Sequence, residues 1–534
     1  MYKRQEYDKE TGIDEANATA EQIMEYLMGK DNFGISSKYD GDLAYRIVVV
    51  RYAMLGNRFA RYKEVKIATD VSDKTVAYVN EHMDTLSGIS VNEDMIRKYN
   101  YSEYFSSIIG YTGPISESEY TALHKKNKDY TQNDTVGKAG LEQYYETYLR
   151  GKNGEQKFYI DNVGRISEII SSTDSVAGDD LYLSIDADLQ KATYLALQNE
   201  IAAIVYSNIK SGEIPINDVY TALIGNSVIN TEHFSKSKAS DTEKSVLSVF
   251  KSRQKTTLGK IKQELTSSPE ALNTMSDEVL DEFTYIISML KDDQVLLKNE
   301  IDTSDSVYQK WKDQKISPKE YLNYCITQHW IDISQLNVDE KYADSTEVYD
   351  ALCKYILKNI KTDTEFSKII YQYMITRGEI SSRQLCLILF DQGVLDYDDA
   401  TVNKLKNGSL SPRDFLMKKI YNIEITPAQL ALEPCIGSCV VTDEKTGEIR
   451  AMVSYPGYDS NKLANGVDSE YFASLQHDKS SPLLNYATQQ KTAPGSTFKL
   501  VSATAGLAEN VITTSDQIRC TGIYNDISLS LIHI

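Results

Sequence analysis

The sequence predicts an α+β multidomain chain: a mixed α/β region, an inserted all-helical module, and the start of a second mixed region. Three observations predict it. Glycine punctuation divides residues 6 to about 175 into short elements. Apolar residues then recur at helical spacing from about Gly212 to Glu433. After Pro434 two β-rich runs flank a glycine-ended turn. A chain of 534 residues exceeds one compact core, and ordinary domain sizes suggest about three.

In the first region, Tyr62 to Ala68 reads as extended and Thr75 to Met83 as helical. Gly110, Gly113, Gly140, Gly151, Gly154 and Gly164 mark turns. Asp180-Leu181-Tyr182-Leu183-Ser184-Ile185-Asp186 alternates like a strand. A helix is expected from Asp188 to about Ile209, with Leu189, Leu195, Leu197 and Ile201 on its apolar face.

In the helical module, Ser276 reads as an N-cap before a stripe of Val279, Leu280, Phe283, Ile286, Ile287 and Leu290. Ser317-Pro318-Lys319-Glu320 reads as a capping box with proline at the first helical position. Its helix carries Leu322, Cys325, Ile326 and His329, and a lone histidine on an apolar stripe is expected to pack in the core. Ser345 is read as the cap before Val348, Leu352, Tyr355 and Ile356. The module shows no fixed repeat period to the eye. Beyond it, Cys439-Val440-Val441-Thr442 and Glu448 to Val453 flank Asp443-Glu444-Lys445-Thr446-Gly447, a hairpin.

Composition narrows the function classes. Hydrophobic content of 41% and charged content of 25% suit a packed globular protein. A formal net charge of −20 argues against a nucleic-acid partner, which needs clustered Lys and Arg, and against a chain held to anionic lipid by charge. Acidity that keeps the chain soluble is the plainer reading. Cys325, Cys353, Cys386, Cys435, Cys439 and Cys520 form no C-x-x-C pair, and the six histidines stand singly. No metal site and no organic cofactor are expected. The cysteines read mostly as buried thiols, with a disulfide left open.

No stretch approaches the roughly 20 apolar residues of a spanning helix, Ile47 to Val50 being among the longest aliphatic runs. Met1 to Gln5 does not read as a signal peptide. Leu529 to Ile534 can be encoded by CTGTCTCTTATACACATC, a transposon end used in sequencing libraries. The reverse complement, read from a GTG start, encodes Met1-Tyr2-Lys3-Arg4-Gln5. Residues 1–5 and 529–534 are therefore expected to be library sequence, with the natural protein continuing in both directions. Native start and stop codons at these positions in a resequenced locus would refute that.

Ser496 and Lys499 stand three apart, which on a helix places both side chains on one face, about 5–6 Å apart at Cβ. A serine hydroxyl needs a neighbouring base to become nucleophilic, and a lysine serves once its neutral form is populated. Pro494-Gly495 suits a tight turn into the helix, whose free N–H groups can stabilise an oxyanion. Ser-x-x-Lys alone is weak, since Ser248-Val249-Phe250-Lys251 has the same spacing and reads as coincidence on a solvated face. Only Ser496 follows Pro-Gly and a hairpin.

Ala493-Pro494-Gly495-Ser496-Thr497-Phe498-Lys499 resembles the nucleophile motif of penicillin-binding proteins, as does Pro482-Leu483-Leu484-Asn485 upstream. Gly437 to Tyr458, with Thr446-Gly447-Glu448 and Ser454-Tyr455-Pro456, resembles the opening hairpin of a class B transpeptidase domain. Leu183-Ser184-Ile185-Asp186 with Leu189-Gln190 resembles the lead into it. Arg61-Tyr62, Gly110-Tyr111-Thr112-Gly113, Gly140-Leu141-Glu142, Gly151 and Gly164-Arg165 resemble the pedestal. The resemblance covers roughly residues 40–210 and 430–525 in the family's order.

It implies a penicillin-binding protein 2-like D,D-transpeptidase with a serine-transpeptidase-like α/β domain. The expected divisions are a pedestal (dimerisation-type) domain at 6–178, a lead-in at 179–211, a helical insertion at 212–433, and the N-terminal part of the transpeptidase domain at 434–528. The resemblance assigns Ser496 as nucleophile and Lys499 as general base. It implies peptidoglycan stem peptides as substrate, covalent binding of β-lactam antibiotics, and partners in membrane-anchored elongation or division machinery. It also implies the extracytoplasmic face of the cell membrane, with an anchor helix upstream. The family's Ser-x-Asn and Lys-Thr-Gly elements are expected beyond the C-terminal end; Lys445-Thr446-Gly447 reads as a turn, and Ser90-Val91-Asn92 as chance. A fragment lacking them is expected to be inactive. The alternatives are a non-catalytic scaffold of the wall machinery, or a β-lactam sensor or serine β-lactamase.

Overall fold

The computed structural model describes residue 11 and residues 18–517, apart from 37, 40, 57–64, 70, 83–84, 87, 92–95, 133, 161–165, 268–269, 337 and 339–343. Arg61-Tyr62, Gly164-Arg165, Asn92, Met83, Cys520 and both expected library ends lie outside the described residues. The chain divides into two compact units, Met1–Lys98 with Tyr144–Tyr182, and Tyr99–Gln143 with Leu183–Ile534.

In the first unit Thr19 and Gln22 form a reciprocal capping box at helix Ala20–Met28, which packs on helix Gly41–Gly56 around Ile35, Ala44 and Val48. The expected helix near residue 75 runs Asp73–Glu81, capped by Ser72. Val65 to Ala68 has no regular structure. Glu155–Ile160 and Ile166–Thr173 make an antiparallel pair.

The second unit holds the helical module. Among the described residues, eleven α-helices from Ile216–Gly225 to Pro427–Leu430 bury one continuous core that includes Phe283, Leu290, Ile356, Ile370, Leu389, Leu405 and Ile420. Their boundaries follow local chemistry. Ser317 accepts from Glu320 N–H with Pro318 in the first turn, but Glu320 does not complete the box. The helix after residue 344 is capped by Asp344, one residue before Ser345, with Glu347 returning the bond. His329 is exposed at φ 58°, just past the end of its helix, so it does not pack in the core.

That φ belongs to a pattern not apparent in the sequence. Gly378, Gly393, Gly408 and Ile423 follow successive helices at φ 72°, 70°, 82° and 59°, a spacing of 15 residues. Two residues after each comes Ile380, Leu395, Leu410 or Ile425, three of them fully buried and Leu410 packed on the same core. The same spacing of 15 residues, in a different phase, separates Gln314 from His329 and Gly212 from Ser227. Each unit is a helix, a left-handed residue that ends it, and an aliphatic anchor. The module thus has a local 15-residue repeat, contrary to the sequence-based expectation. It is masked because serine, histidine, glutamine and isoleucine fill positions where glycine is favoured.

Helix Ala187–Ser211 joins the module to the rest of the unit. Asp186 caps it, and its buried face is Gln190, Tyr194, Ile201, Ala202, Val205 and Ile209. Leu189, expected on that face, is exposed. Residues 180–186 form no strand: Asp186 N–H donates to Arg450 O and Ser184 Oγ to Ile449 O, too few bonds for a ladder. Gly113 stands inside strand Thr112–Pro114, which pairs with Thr135–Gly137.

A buried charge cluster sits within the module. Glu278 takes both carboxylate bonds from Arg253 Nη2, at 2.7 and 2.9 Å, and one from Arg377 Nη2 at 2.6 Å. Glu282 is 1% exposed one turn on. Burial first, then the Glu278 charge, pushes its carboxyl up to about 8, against the opposing pull of Lys260, Arg253 and Arg377. The folded state therefore holds a proton that the unfolded chain releases above its ordinary value of 4.5. Stability is full below that value and falls as pH rises toward 8, by at most about 1.4 kcal/mol per pH unit. Glu282→Gln is expected to flatten this fall between pH 5 and 8, read by urea denaturation. Ile423→Gly is expected to raise stability by about 0.5–1 kcal/mol in the same assay, because a β-branched residue is strained at its left-handed φ.

Candidate active site

The site is approached through the hairpin Gly437–Thr442 and Ile449–Tyr455, paired antiparallel with Cys439 opposite Val453 and Val441 opposite Ala451. Asp443 closes its turn, accepting from Lys445 and Thr446 N–H at 2.8 and 3.0 Å while Gly447 takes φ 75°. Lys445-Thr446-Gly447 thus lies in a turn.

The inner face of the hairpin packs on helix Ala187–Ser211 through Val453, Tyr455, Tyr194 and Ile201, with Cys439 and Leu197 at the margin. Gln190, fully buried, holds this packing in register. Its Nε2 donates to Tyr104 O at 2.8 Å and Met452 O at 2.9 Å, and Met452 N–H donates to its Oε1 at 2.8 Å. Gly457 N–H donates to the Tyr194 hydroxyl at 3.1 Å. A Cβ at Gly457 would lie 1.9 Å from Glu103 O, so no side chain fits where the strand leaves the sheet.

Helix Ser102–Ile109 lies against the same strand. Ser106 Oγ accepts from Tyr458 N–H at 3.1 Å, Ser102 Oγ from Ser460 N–H at 2.6 Å, and Asn485 Nδ2 donates to Ser107 O at 3.0 Å. Ser454 Oγ accepts from Tyr486 N–H at 2.9 Å. Burial raises the pKa of the Tyr194, Tyr455 and Tyr458 hydroxyls; Tyr194 takes the Gly457 bond, and Tyr458 donates to Ser106 O at 3.2 Å.

Past Tyr486 the anchoring stops. Ser496 lies in the single 3₁₀ turn Gly495–Thr497, entered through Gly495 at φ 57°, and Lys499 is the second residue of helix Phe498–Ala508. Both side chains are exposed. From Thr488 to Gln517 every residue is exposed except Gly506 and Ile512, which touch each other. Among the described residues no hydrogen bond joins Ser496 to Lys499, and no other element closes over them. The pair is therefore close in sequence and on neighbouring turns, but not set in a cleft. Ser248 and Lys251, the second Ser-x-x-Lys, are exposed on helix Asp241–Thr266.

The anchoring residues Ser102, Ser106 and Tyr194 belong to no motif of the sequence, and Gln190 and Asn485 only fall inside motifs. One signal was available: a glutamine and a tyrosine four apart on the buried stripe of an otherwise apolar helix.

Two family descriptions match. Residues 2–183 match the penicillin-binding protein dimerisation domain, and residues 437–530 the penicillin-binding protein transpeptidase domain. The chain belongs to the class B penicillin-binding proteins. Between the two matches lie residues 184–436, most of them in the helical module. Among curated relatives of this penicillin-binding protein, the peptidoglycan D,D-transpeptidase MrdA of Salmonella typhimurium (strain LT2) is 29% identical over 157 residues, which is 29% of this chain and 25% of that protein. Penicillin-binding protein 2A of Bacillus subtilis is 35% identical over 136 residues, 25% of this chain and 19% of that one. The chain thus spans about a quarter or less of these relatives. Penicillin-binding protein 2B from Streptococcus pneumoniae, a solved structure, matches 39% of this chain and 36% of that one at 20% identity and a TM-score of 0.21, too slight to bear on the fold.

Gln190→Leu is expected to lower stability by about 2–3 kcal/mol in urea denaturation, since it strands buried Met452 and Tyr104 backbone groups. A loss under 0.5 kcal/mol would mean that the clamp contributes little.

Proposed function

We propose that the protein containing this chain is a peptidoglycan D,D-transpeptidase working through an acyl-serine intermediate. One observation carries the reading: Ser496 and Lys499 stand three residues apart inside the segment that matches the transpeptidase domain. The peptidoglycan D,D-transpeptidase names of the MrdA relatives support the reaction class.

In the proposed reaction Lys499 takes the proton of Ser496, whose Oγ attacks the carbonyl of the penultimate D-alanine of a stem peptide. Backbone N–H groups at the turn, including that of Ser496, stabilise the oxyanion. The tetrahedral intermediate collapses with loss of the terminal D-alanine, which leaves protonated. An amine of a neighbouring stem then attacks the acyl carbonyl, forms the cross-link and returns the serine hydroxyl. β-Lactams acylate the same oxygen because their strained amide imitates the D-Ala-D-Ala bond.

In this reading residues 6–178 are a pedestal, 179–211 the lead-in, 212–433 an insertion and 434–528 part of the catalytic domain. The protein faces the wall from the membrane and works with elongation or division machinery. A membrane anchor belongs to this proposal through the family resemblance alone; among the described residues no helix is long and apolar enough to cross a membrane.

The natural full-length protein is expected to label covalently with a fluorescent penicillin, and Ser496→Ala to abolish the labelled band while the protein remains folded. A band that survives would remove Ser496 as nucleophile. No labelling of the unaltered full-length protein would favour a non-catalytic scaffold. The chain alone, with Ser496 exposed on an uncovered turn, is expected to release no D-alanine above a serine-free control.

A further inference from the structure

A cavity of about 370 Å³ opens where the last turns of helix Ala187–Ser211 meet helix Pro412–Tyr421, well before the hairpin that leads to Ser496. That volume lies at the small-ligand end of ordinary binding pockets, about 300–1,000 Å³. Its floor includes the buried Met417. Tyr206 and Tyr421 form one wall, ring centroids 5.2 Å apart and planes tilted by 59°. Lys210, Arg413 and Lys418 line the remainder, with Asp414 as the sole acid.

The charge balance is the reverse of the chain's. Acidic residues outnumber basic ones 77 to 57 overall, yet three cations meet one carboxylate here. Among the described residues none of the three cations makes an ion pair, and Asp414 is engaged by Ser411 Oγ at 2.7 Å. Lys210 has a local reason for its place, since a cation in the last turn complements the helix dipole. Arg413 has the opposite: it occupies the first turn of its helix, where a positive charge is disfavoured. One guanidinium nitrogen donates to Ile209 O at 3.2 Å, which leaves other N–H donors of the fork for a ligand. A guanidinium fork beside two further cations and an aromatic wall is suited to an oxyanion, carboxylate or phosphate, on a ring-sized body.

We infer that this groove binds a small ligand with an oxyanion, carboxylate or phosphate, carried on a ring that lies against Tyr206 and Tyr421. The choice of sugar probes rests on the wall-facing reading above; the groove itself does not.

The test is calorimetric titration of the whole chain with three probes: N-acetylmuramic acid, N-acetylglucosamine 1-phosphate and neutral N-acetylglucosamine. At least one anionic probe is expected to bind with a Kd on the order of 1 mM, typical of a small ligand in a shallow polar site, and the neutral sugar at least about tenfold more weakly. The tighter anion identifies carboxylate or phosphate as the source. Arg413→Ala with Lys418→Gln is expected to weaken binding by about tenfold or more with unchanged circular dichroism and Tm. Should that double variant misfold, Lys418→Gln alone, on an exposed side chain, is expected to weaken binding about threefold. Ser496→Ala is expected to leave binding unchanged, which separates this result from the acyl-transfer reading. The inference is overturned if neither anion binds below about 10 mM, if the neutral sugar binds equally, or if the folded variant binds as the parent does.

Discussion

The second unit depends on one buried carboxamide. Gln190 uses both donors and its acceptor to hold Tyr104 and Met452 around helix Ala187–Ser211. No water reaches it, so each bond it satisfies would otherwise be an orphaned backbone group at low dielectric. The hairpin is thereby held by backbone bonds as well as apolar contact. Tyr194, Ser106 and Asn485 extend the same logic along the chain from Gly457 to Tyr486. Direction is supplied by these polar contacts, since apolar burial alone does not specify register.

The same helix serves two cores. Its first half meets Val453 and Tyr455 of the hairpin; its second half, through Val205 and Ile209, joins the core of the helical module. A change that shifts this helix would be felt on both sides. The module itself is built by repetition of a helix stop, in which a left-handed residue turns the chain and a buried aliphatic anchors it two residues later. The helices so spaced do not pack only on their neighbours: Ile216–Gly225 lies against Thr364–Thr376, far along the chain.

Helix Phe498–Ala508 stands apart from that economy of contact. Leu500, Val501 and Leu507 are exposed, on a helix whose small and apolar residues resemble those of a buried one. Ser496 and Lys499 share its exposure, and no other described element closes over them. The roles proposed for them therefore rest on their spacing and on their place inside the segment that matches the transpeptidase domain.

Short-range features were legible in the residues alone. The hairpin at 437–455, the proline-started helix at 318, the apolar stripe of Phe283 to Leu290 and the turn at Gly447 follow from propensities and hydrogen bonds within a few positions. The Ser496 and Lys499 pair was legible for the same reason. Tertiary structure decided what depends on distant partners. Residues 180–186 have strand-like alternation but only an edge with two bonds to offer, so no ladder forms. Leu189 is 37% exposed while Gln190 is fully buried, because backbone groups of Tyr104 and Met452 bond the carboxamide there. The 15-residue period became visible only as backbone angle, since a left-handed turn can be occupied by serine, histidine, glutamine or isoleucine once packing over-determines it.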